Sequence, residues 1–223
     1  WVMINMVASV DGATVVDGRS DRLGGPGDRQ VFQALRGVAD MILVGAKTVR
    51  AEDYQPPRTP DDRMAVVRAT AGRSARPRLV VVSGRLDLDP MAPLFAERLP
   101  PDQPPLVATV RSAPTDRRAA LEPVADLIAL GETRVDLTGL LATLGDLGAR
   151  TVLCEGGPDL NHQLLAAGLV DELCLTISPM LVGGAGATSR GLLDGAPFAV
   201  PSGLRLDQVS THQGFLFCRY LIA

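Results

Sequence analysis

The sequence predicts an α/β protein with a mainly parallel mixed sheet that is flanked by helices on both faces. Short apolar runs of strand length recur along the 223 residues. Several are apolar at consecutive positions, as expected for strands that are covered on both faces. Helical patterns with one apolar stripe lie between many of these runs, and strands that alternate with helices favour a parallel sheet.

Eight apolar runs are predicted as strands. The first covers Val2 to Val10. The last, Phe215 to Ile222, follows the preceding run without an intervening helix, so we expect it to be antiparallel and to form a sheet edge. The remaining runs are 41–44, 79–82, 106–110, 127–130, 151–154 and 173–177.

Three helices are predicted between these strands. The first has an apolar stripe from Val31 to Ala39. The second covers 137–144, with Asp136 as its N-cap and Gly148 after its end. The third has Pro158 as its first residue, a position at which proline is favoured.

Two further segments are predicted as surface loops. From Gln55 to Pro77 the chain is rich in proline, arginine and aspartate and has little periodicity, and loops of this length are usually functional. The run VGGAGATSR at 182–190 is rich in glycine, but it lacks the lysine of a phosphate-binding GxxxxGK[ST] loop.

Composition and charge exclude several classes of protein. The net charge is −3, so a basic surface for nucleic acid or an anionic membrane is not expected. Three cysteines near apolar runs and only two histidines favour neither a disulfide nor a metal site. The apolar runs are shorter than the roughly 20 residues of a membrane span. We therefore expect a cytoplasmic protein that forms a single domain over residues 1–223.

Glycines and polar residues follow four of the predicted strands. The four strand ends are ASVDG at 8–12, VGAKT at 44–48, VSGR at 82–85 and EGGPDL at 155–160. Ligands of open α/β sheets bind outside the carboxyl ends of the strands. Glycines there let a phosphate group approach the backbone, and the free N–H groups of a following helix attract the anion. GxGxxG and GxSxG motifs are absent, as is a plausible Ser–His–Asp set, so a hydrolase is disfavoured.

The order of these motifs resembles that in the riboflavin-pathway pyrimidine reductases. The shared motifs are SVDG at 9–12, ALR at 34–36, VGxxTV at 44–49 with an acid four residues after the threonine, LCEGGPDL at 153–160 and GLVDELCLTISP at 168–179. The resemblance implies a dihydrofolate-reductase-like fold and NADPH as the cofactor. It also implies hydride transfer to a small phosphorylated pyrimidine, and a homodimer.

The resemblance further implies which residues contact the cofactor. Gly45 and Thr48 match a pyrophosphate contact at a helix N-terminus, and Glu52 matches an acidic contact. Ser83 and Arg85 lie where the fold places the adenosine ribose, and a guanidinium suits the 2′-phosphate of NADPH. The other implied contacts are Ala8, Asp11, Gly156, Gly157, Pro158, Asp159 and Leu160.

Five residues are candidates for the substrate side. Glu155 matches an acid that contacts the substrate or relays a proton, and Ser20, Arg36 and Arg58 match substrate-binding positions. Asn5, the second catalytic candidate, stands where many bacterial members carry lysine. This difference leaves open whether the substrate is the diaminopyrimidine or its deaminated counterpart. The chain lacks the HxE…PCxxC motif of a zinc deaminase.

Two other functions stay open from the sequence. One is a pteridine reductase like dihydrofolate reductase, although no acid lies in the middle of the first helix and Asp28 is at its start. The other is a non-catalytic NADPH-binding protein, because the cofactor motifs are more complete than the substrate motifs.

Overall fold

The computed structural model describes residues 1–58, 60–97, 102–183 and 191–223. These residues contain nine strands and seven helices, and the predicted α/β fold class is confirmed. The chain divides into two compact units, one of Trp1–Leu35 with Leu153–Ala223 and one of Arg36–Val152. The single domain expected over residues 1–223 stays a prediction.

Strands and helices alternate through most of the chain. The strands are β1 (Val2–Ser9), β2 (Met41–Gly45), β3 (Arg78–Val82), β4 (Leu106–Thr109), β5 (Asp126–Ala129), β6 (Val152–Cys154), β7 (Glu172–Ser178), β8 (Leu204–His212) and β9 (Phe215–Ile222). The helices are α1 (Pro26–Val38), α2 (Ala46–Ala51), α3 (Asp62–Thr70), α4 (Pro93–Ala96), α5 (Thr115–Leu121), α6 (Leu137–Asp146) and α7 (Pro158–Ala166). All eight predicted strands are present, and β8 is additional.

The unit Arg36–Val152 contains four parallel strands in the order β5-β4-β3-β2. Their consecutive apolar residues are covered on both faces, and Val44, Val81 and Val107 are fully buried. The same core contains side chains from α2, α4 and α5. Gly45 pairs with Val82, so the segments that follow β2 and β3 begin side by side.

The other unit contains an antiparallel edge. β1 pairs with β7 in parallel, and β7, β9 and β8 follow as antiparallel neighbours. The antiparallel direction predicted for Phe215–Ile222 is therefore correct, but its position at the edge is wrong, because β8 lies outside it. All nine residues of β8 are exposed, and its sequence mixes apolar and polar residues. It therefore lacks the apolar run by which the other strands are recognised.

The prediction of a loop from Gln55 to Pro77 is wrong in part, because helix α3 lies within this segment. Asp61 caps this helix by accepting a hydrogen bond from the backbone N–H of Met64. Most of its side chains are exposed, so it has no apolar stripe to reveal it in the sequence. The short helices α4 and α5 are not predicted either, because so few residues show no periodicity.

Arg68 is the buried residue of α3, with 1% of its surface exposed. Its Nη1 donates to the carbonyl oxygens of Gly37 and Ala39 at 3.1 and 2.6 Å, and its Nε donates to the carbonyl oxygen of Ser74 at 2.7 Å. The last carbonyl groups of a helix have no N–H donor from a following turn. The guanidinium of Arg68 therefore supplies the missing donors at the end of α1.

Two predicted helix boundaries are confirmed. Asp136 accepts a hydrogen bond from the backbone N–H of Gly139 at the start of α6, and Pro158 is the first residue of α7. Of the glycine-rich run predicted as a loop, residues 184–190 lie outside the described residues.

Candidate functional site

The EGG turn follows β6 in the first unit. Glu155 comes directly after the strand and is buried, with 9% of its surface exposed. Gly156 has a φ of +81°, and a Cβ there would lie 3.3 Å from the sulfur of Met6, so only glycine fits without strain. Gly157 has a φ of −84° and is the N-cap of α7; the peptide between the two glycines is cis.

Asn161 supports this turn from within α7. It is 1% exposed, its backbone N–H donates to the carbonyl oxygen of Gly157 at 3.0 Å, and its Nδ2 donates to the carbonyl oxygen of Leu192 at 3.3 Å. Its Oδ1 accepts a hydrogen bond from the thiol of Cys154 at 3.4 Å. Burial raises the pKa of that thiol to about 12, so it stays protonated and can donate. Hydrogen bonds of Asn161 therefore connect the end of β6, the EGG turn and the segment that contains Leu192.

Asp11, a predicted cofactor contact, forms hydrogen bonds within the first unit. Its carboxylate accepts from the hydroxyl of Ser9, from the backbone N–H of Gly183 at 2.7 Å and from that of Val182 at 3.2 Å. These donors, with Ser9 first, lower the pKa of Asp11 to about 2. The Asp11 side chain is exposed, and its hydrogen bonds hold the segment that follows β7. Ala8, another predicted cofactor contact, is buried in β1.

Asn5 and Ser20, two predicted substrate-side residues, are both half-buried in the first unit. Asn5 lies in β1 and pairs in register with Cys174 of β7. Asp28, in the first turn of α1, is also half-buried. Burial raises the pKa of Asp28, although the hydroxyl of Thr176 and the charge of Arg29 act in the opposite direction.

Helices α2 and α7 each have a glycine N-cap close behind a strand. Neither Gly45 nor Gly157 provides a side-chain cap, whereas α3 and α6 are capped by Asp61 and Asp136. The first turns of α2 and α7 therefore lack a side-chain cap, and the first residue of α7, Pro158, has no N–H group. Thr48, half-buried in α2, is predicted at the same pyrophosphate contact as Gly45.

Ser83 and Arg85 follow β3 in the second unit. Ser83 is 4% exposed, and its backbone N–H donates to the carbonyl oxygen of Ala108 at 2.9 Å. Arg85 is exposed. The register of Gly45 with Val82 brings Ser83, the residue after β3, next to the start of α2.

Arg36 is fixed by a tyrosine in the second unit. Its Nη2 donates to the hydroxyl of Tyr54 at 3.0 Å, and its guanidinium carbon lies 5.6 Å from the centre of the ring. Tyr54 is buried and therefore holds the arginine in one orientation. Glu52 is the half-buried C-cap residue of α2, and Arg58 is exposed.

Two features that the described residues lack bear on other functions. Over 1–58, 60–97, 102–183 and 191–223, no group of three or more histidine, cysteine or acidic side chains is placed to hold a metal ion. Across the same residues, the helices are too short or too polar to span a membrane.

Comparison with known proteins identifies the family. The sequence matches the RibD C-terminal domain family over residues 1–214. The chain belongs to this family. The fold and function that the motifs imply are thereby confirmed at the level of the family.

Relatives of this RibD C-terminal domain include two proteins named 2,5-diamino-6-ribosylamino-4(3H)-pyrimidinone 5′-phosphate reductase. The one from Methanothermobacter thermautotrophicus is 35% identical over 195 residues, which are 87% of this chain and 84% of that protein. The one from Archaeoglobus fulgidus is 33% identical over 201 residues, 89% of this chain and 88% of that protein.

Among solved structures, a pyrimidine reductase-like protein from Corynebacterium diphtheriae has a TM-score of 0.89 to this RibD C-terminal domain. The two are 28% identical, and the match covers 100% of this chain and 91% of that one. The dihydrofolate-reductase-like fold predicted from the sequence is confirmed.

Sequence motifs do not identify three polar residues of the RibD C-terminal domain. Tyr54 and Asn161 position the predicted residues Arg36 and Gly157, and Asp28 is a half-buried acid in the first turn of α1. Only Asp28 carries a signal in the sequence, as an acid in the first turn of a helix, and that signal is also typical of a helix-stabilising charge.

Proposed function

We propose that this chain reduces a ribosylamino-pyrimidine 5′-phosphate in riboflavin biosynthesis. The ribose opens to an imine, and addition of a hydride to C1′ gives the ribityl side chain. The support is membership of the family together with relatives that are named for such a reduction and match 87% and 89% of the chain.

The arrangement at the end of β6 is the observation that assigns this function to particular residues. A buried carboxylate, Glu155, is followed by two residues without side chains and by the uncapped start of α7. The two glycines leave room for a ligand against the backbone, and the N–H groups of α7 suit its phosphate. Glu155 then accepts hydrogen bonds from the pyrimidine or relays a proton.

The family implies a nicotinamide cofactor, and we infer that it is NADPH. The uncapped start of α7, with Gly157 as its N-cap, fits an anionic group of the cofactor. Gly45 and Thr48 are proposed as pyrophosphate contacts because they match the motif of the family. Ser83 and Arg85 suit the 2′-phosphate. The bound cofactor supplies the hydride, and the protein orients the substrate and excludes water. The other proposed contacts are Ala8, Asp11, Glu52, Gly156, Pro158, Asp159 and Leu160.

The proposed substrate contacts are Arg36, Ser20, Arg58 and Asn5. Arg36 is the best supported of these, because Tyr54 fixes its guanidinium in a half-buried position suited to an anionic group. Asn5 is the second residue, after Glu155, that we assign to the reacting end of the substrate.

We also propose a cytoplasmic homodimer without nucleic-acid or membrane partners. The edge strand β8 exposes Leu204, Leu206 and Val209. Arg205 and Asp207 flank Leu206, so two copies paired antiparallel about Leu206 bring opposite charges together. Light scattering tests this proposal: the wild type is expected at twice the mass of the chain and the Leu206→Lys variant at one mass.

The reduction is tested by following NADPH oxidation with the diaminopyrimidine phosphate, its deaminated counterpart and dihydrofolate. Turnover of one of the two pyrimidines is expected. Turnover of dihydrofolate alone would make the protein a pteridine reductase. Binding of NADPH without turnover of any of the three would make it a non-catalytic binding protein.

A further inference from the structure

Asn161 is a polar side chain in the interior of the protein, with 1% of its surface exposed. An apolar side chain is the usual choice at such a position, because a buried carboxamide costs free energy unless its polar atoms are hydrogen-bonded. Its Oδ1 accepts from the thiol of Cys154 at 3.4 Å, and its Nδ2 donates to the carbonyl oxygen of Leu192 at 3.3 Å. Both bonds are weak, since a thiol is a weak donor and N–H···O bonds are strongest at about 2.9–3.0 Å. Stability alone therefore does not account for a carboxamide at this position.

The bond between Cys154 and Asn161 closes a short loop of the backbone. The loop runs from the last residue of β6 through Glu155, Gly156 and Gly157 into the first turn of α7. Glycine has more backbone freedom than any other residue, so a turn with two glycines needs a restraint to keep one conformation. The side chain of Asn161 provides this restraint across the base of the EGG turn.

The carboxamide of Asn161 also lies against Gly156. A Cβ on Gly156 would lie 3.6 Å from Nδ2 and 3.8 Å from Oδ1 of Asn161, and 3.3 Å from the sulfur of Met6. The space beside this glycine is therefore occupied from α7 and from β1. Because Gly156 directly follows Glu155, this packing also restricts the peptide from which the Glu155 side chain projects.

His162, the next residue of α7, makes contacts of a different kind. Its Nε2 lies 2.7 Å from the carbonyl oxygen of Ala196, and its ring stacks on that of Phe198 with 5.1 Å between the ring centres. Both contacts are with residues outside the EGG turn. Two adjacent side chains of one helix thus hold different parts of the first unit, Asn161 the turn and His162 the segment 196–198.

We propose that Asn161 is a positioning residue for the reduction. Its carboxamide fixes the EGG turn from the side of α7 and so holds Glu155 in the orientation that serves the pyrimidine. This inference rests on the proposed function and adds to it a residue that acts through the turn. A displacement of about 1 Å at a reacting group costs on the order of 10²-fold in rate. Loss of the restraint should therefore lower kcat more than it raises KM.

The test compares the wild type with Asn161→Leu. Leucine has the same branching and places carbon atoms where Oδ1 and Nδ2 lie, so both hydrogen bonds are lost while the space stays filled. With the pyrimidine phosphate that the wild type turns over, kcat should fall by on the order of tenfold or more and KM should change by less than about threefold. Titration with NADPH counts the binding-competent molecules, to which kcat is referred. An unchanged kcat overturns the inference.

A second measurement on the same two proteins does not depend on activity. With ¹⁵N-labelled glycine, the order parameters of the Gly156 and Gly157 amides report how rigid the turn is. They should be about 0.85, as in rigid backbone, in the wild type and should fall below about 0.6 in Asn161→Leu. An equally rigid turn in both proteins overturns the inference.

His162→Ala is the matched control on the same helix. It removes the contacts with Ala196 and Phe198, so the melting temperature should fall while kcat and the two order parameters stay at the wild-type values. If kcat and the melting temperature fall together in His162→Ala and in Asn161→Leu, the role of Asn161 is structural and the inference is overturned.

A double-mutant cycle tests the closing bond itself. Cys154→Ala removes the thiol donor alone and should lower kcat less than Asn161→Leu does. In the double variant the two effects on kcat should sum to less than their separate values, because both changes remove the same bond. Strictly additive effects would mean that the bond does not restrain the turn and would overturn the inference.

The outcomes also separate this inference from the proposed function. A wild type that turns over neither pyrimidine lacks the proposed function, and the order parameters then decide whether Asn161 holds the turn. A wild type that reduces a pyrimidine as fast as Asn161→Leu does leaves the reduction standing and removes the role of Asn161.

Discussion

The guanidinium of Arg36 and the hydroxyl of Tyr54 are joined by a hydrogen bond of 3.0 Å, with the guanidinium carbon 5.6 Å from the ring centre. The bond restricts an arginine that otherwise has many rotamers, so its loss should weaken the hold on an anion without unfolding the protein. We predict that Tyr54→Phe raises KM for the phosphorylated pyrimidine by on the order of tenfold, since a hydrogen bond to a charged group is worth about 1.5–3 kcal/mol.

The only other tyrosine, Tyr220, provides the matched control. Tyr220→Phe removes the same atom from β9 and should leave KM for the pyrimidine unchanged. The cofactor affinity should not change in either variant. A Tyr54→Phe protein with the wild-type KM would show that Tyr54 does not position a substrate contact.

Arg68 is expected to be the side chain of α3 on which stability depends most. Replacing it with methionine leaves the carbonyl groups of Gly37, Ala39 and Ser74 without their buried donor. Arg68→Met should therefore lower the free energy of unfolding by about 3 kcal/mol or more. Urea denaturation measures the change. Arg63→Met, at an exposed position of the same helix, should shift it by less than about 0.5 kcal/mol. A similar loss in both variants would contradict this role.

Those parts of the fold that bury consecutive apolar residues are predictable from the sequence. Val44, Val81 and Val107 lie in strands that are covered on both faces, and their apolar runs mark these strands. The exposed strand β8 and the exposed helix α3 have no such pattern. Their positions are set by backbone pairing with β9 and by the contacts of Arg68, and neither leaves a periodic signal in the sequence.

The predictable part of the site lies in its local motifs. Glycine at 45 and 157 and the order strand–glycine–helix identify the two uncapped helix starts. The positive φ lies at Gly156, whereas Gly157 has a φ of −84° and is the N-cap of α7. The hydrogen bond between Arg36 and Tyr54 joins two residues that are 18 positions apart in the chain, and no local pattern encodes such a pair.

Arg85 is predicted to determine the choice between NADPH and NADH. Its exposed guanidinium follows β3 and suits the 2′-phosphate, which NADH lacks. The wild type should bind NADPH more tightly, and Arg85→Ala should remove most of the difference, about 1.5–3 kcal/mol. Titration calorimetry with both cofactors measures it, with the exposed Arg111→Ala as control. Equal affinities in the wild type would rule the assignment out.

Glu172 is predicted to make part of the stability depend on pH. Burial alone would raise its pKa, but hydrogen bonds from Arg219, Cys174 and Trp1 and the charge of Arg219 outweigh burial, and the pKa falls below 4.5. A lowered pKa in the folded state adds stability above the unfolded value, and this stability is lost as the pH falls through the lowered value.

The melting temperature measured from neutral pH to about pH 3 tests this role. The wild type should lose stability below pH 4.5, and Glu172→Gln should be less stable at neutral pH with a smaller further loss in acid. Asp40 also has a lowered pKa, so part of the acid sensitivity should remain in the variant. Parallel curves for the two proteins would assign the acid sensitivity to other carboxylates.

Replacement of Glu155 is predicted to slow catalysis strongly while the cofactor still binds. Its carboxylate is buried at the end of β6, and Glu155→Gln keeps the size of the side chain while removing the charge and the ability to carry a proton. Turnover of the pyrimidine should fall by on the order of 10²-fold or more, as for the loss of an acid–base group. The affinity for NADPH should stay near that of the wild type, because Glu155 is not among the contacts proposed for the cofactor.

Three measurements on Glu155→Gln separate catalysis from structure: single-turnover rates, cofactor titration and thermal melting. Glu122→Gln, at the exposed C-cap of α5, is the matched control and should behave as the wild type in all three. A melting temperature that falls together with turnover would mean that the buried charge stabilises the EGG turn. Turnover within a few-fold of the wild type would remove Glu155 from the reaction, because a group that carries charge or a proton at the reacting carbon contributes far more than a few-fold to the rate.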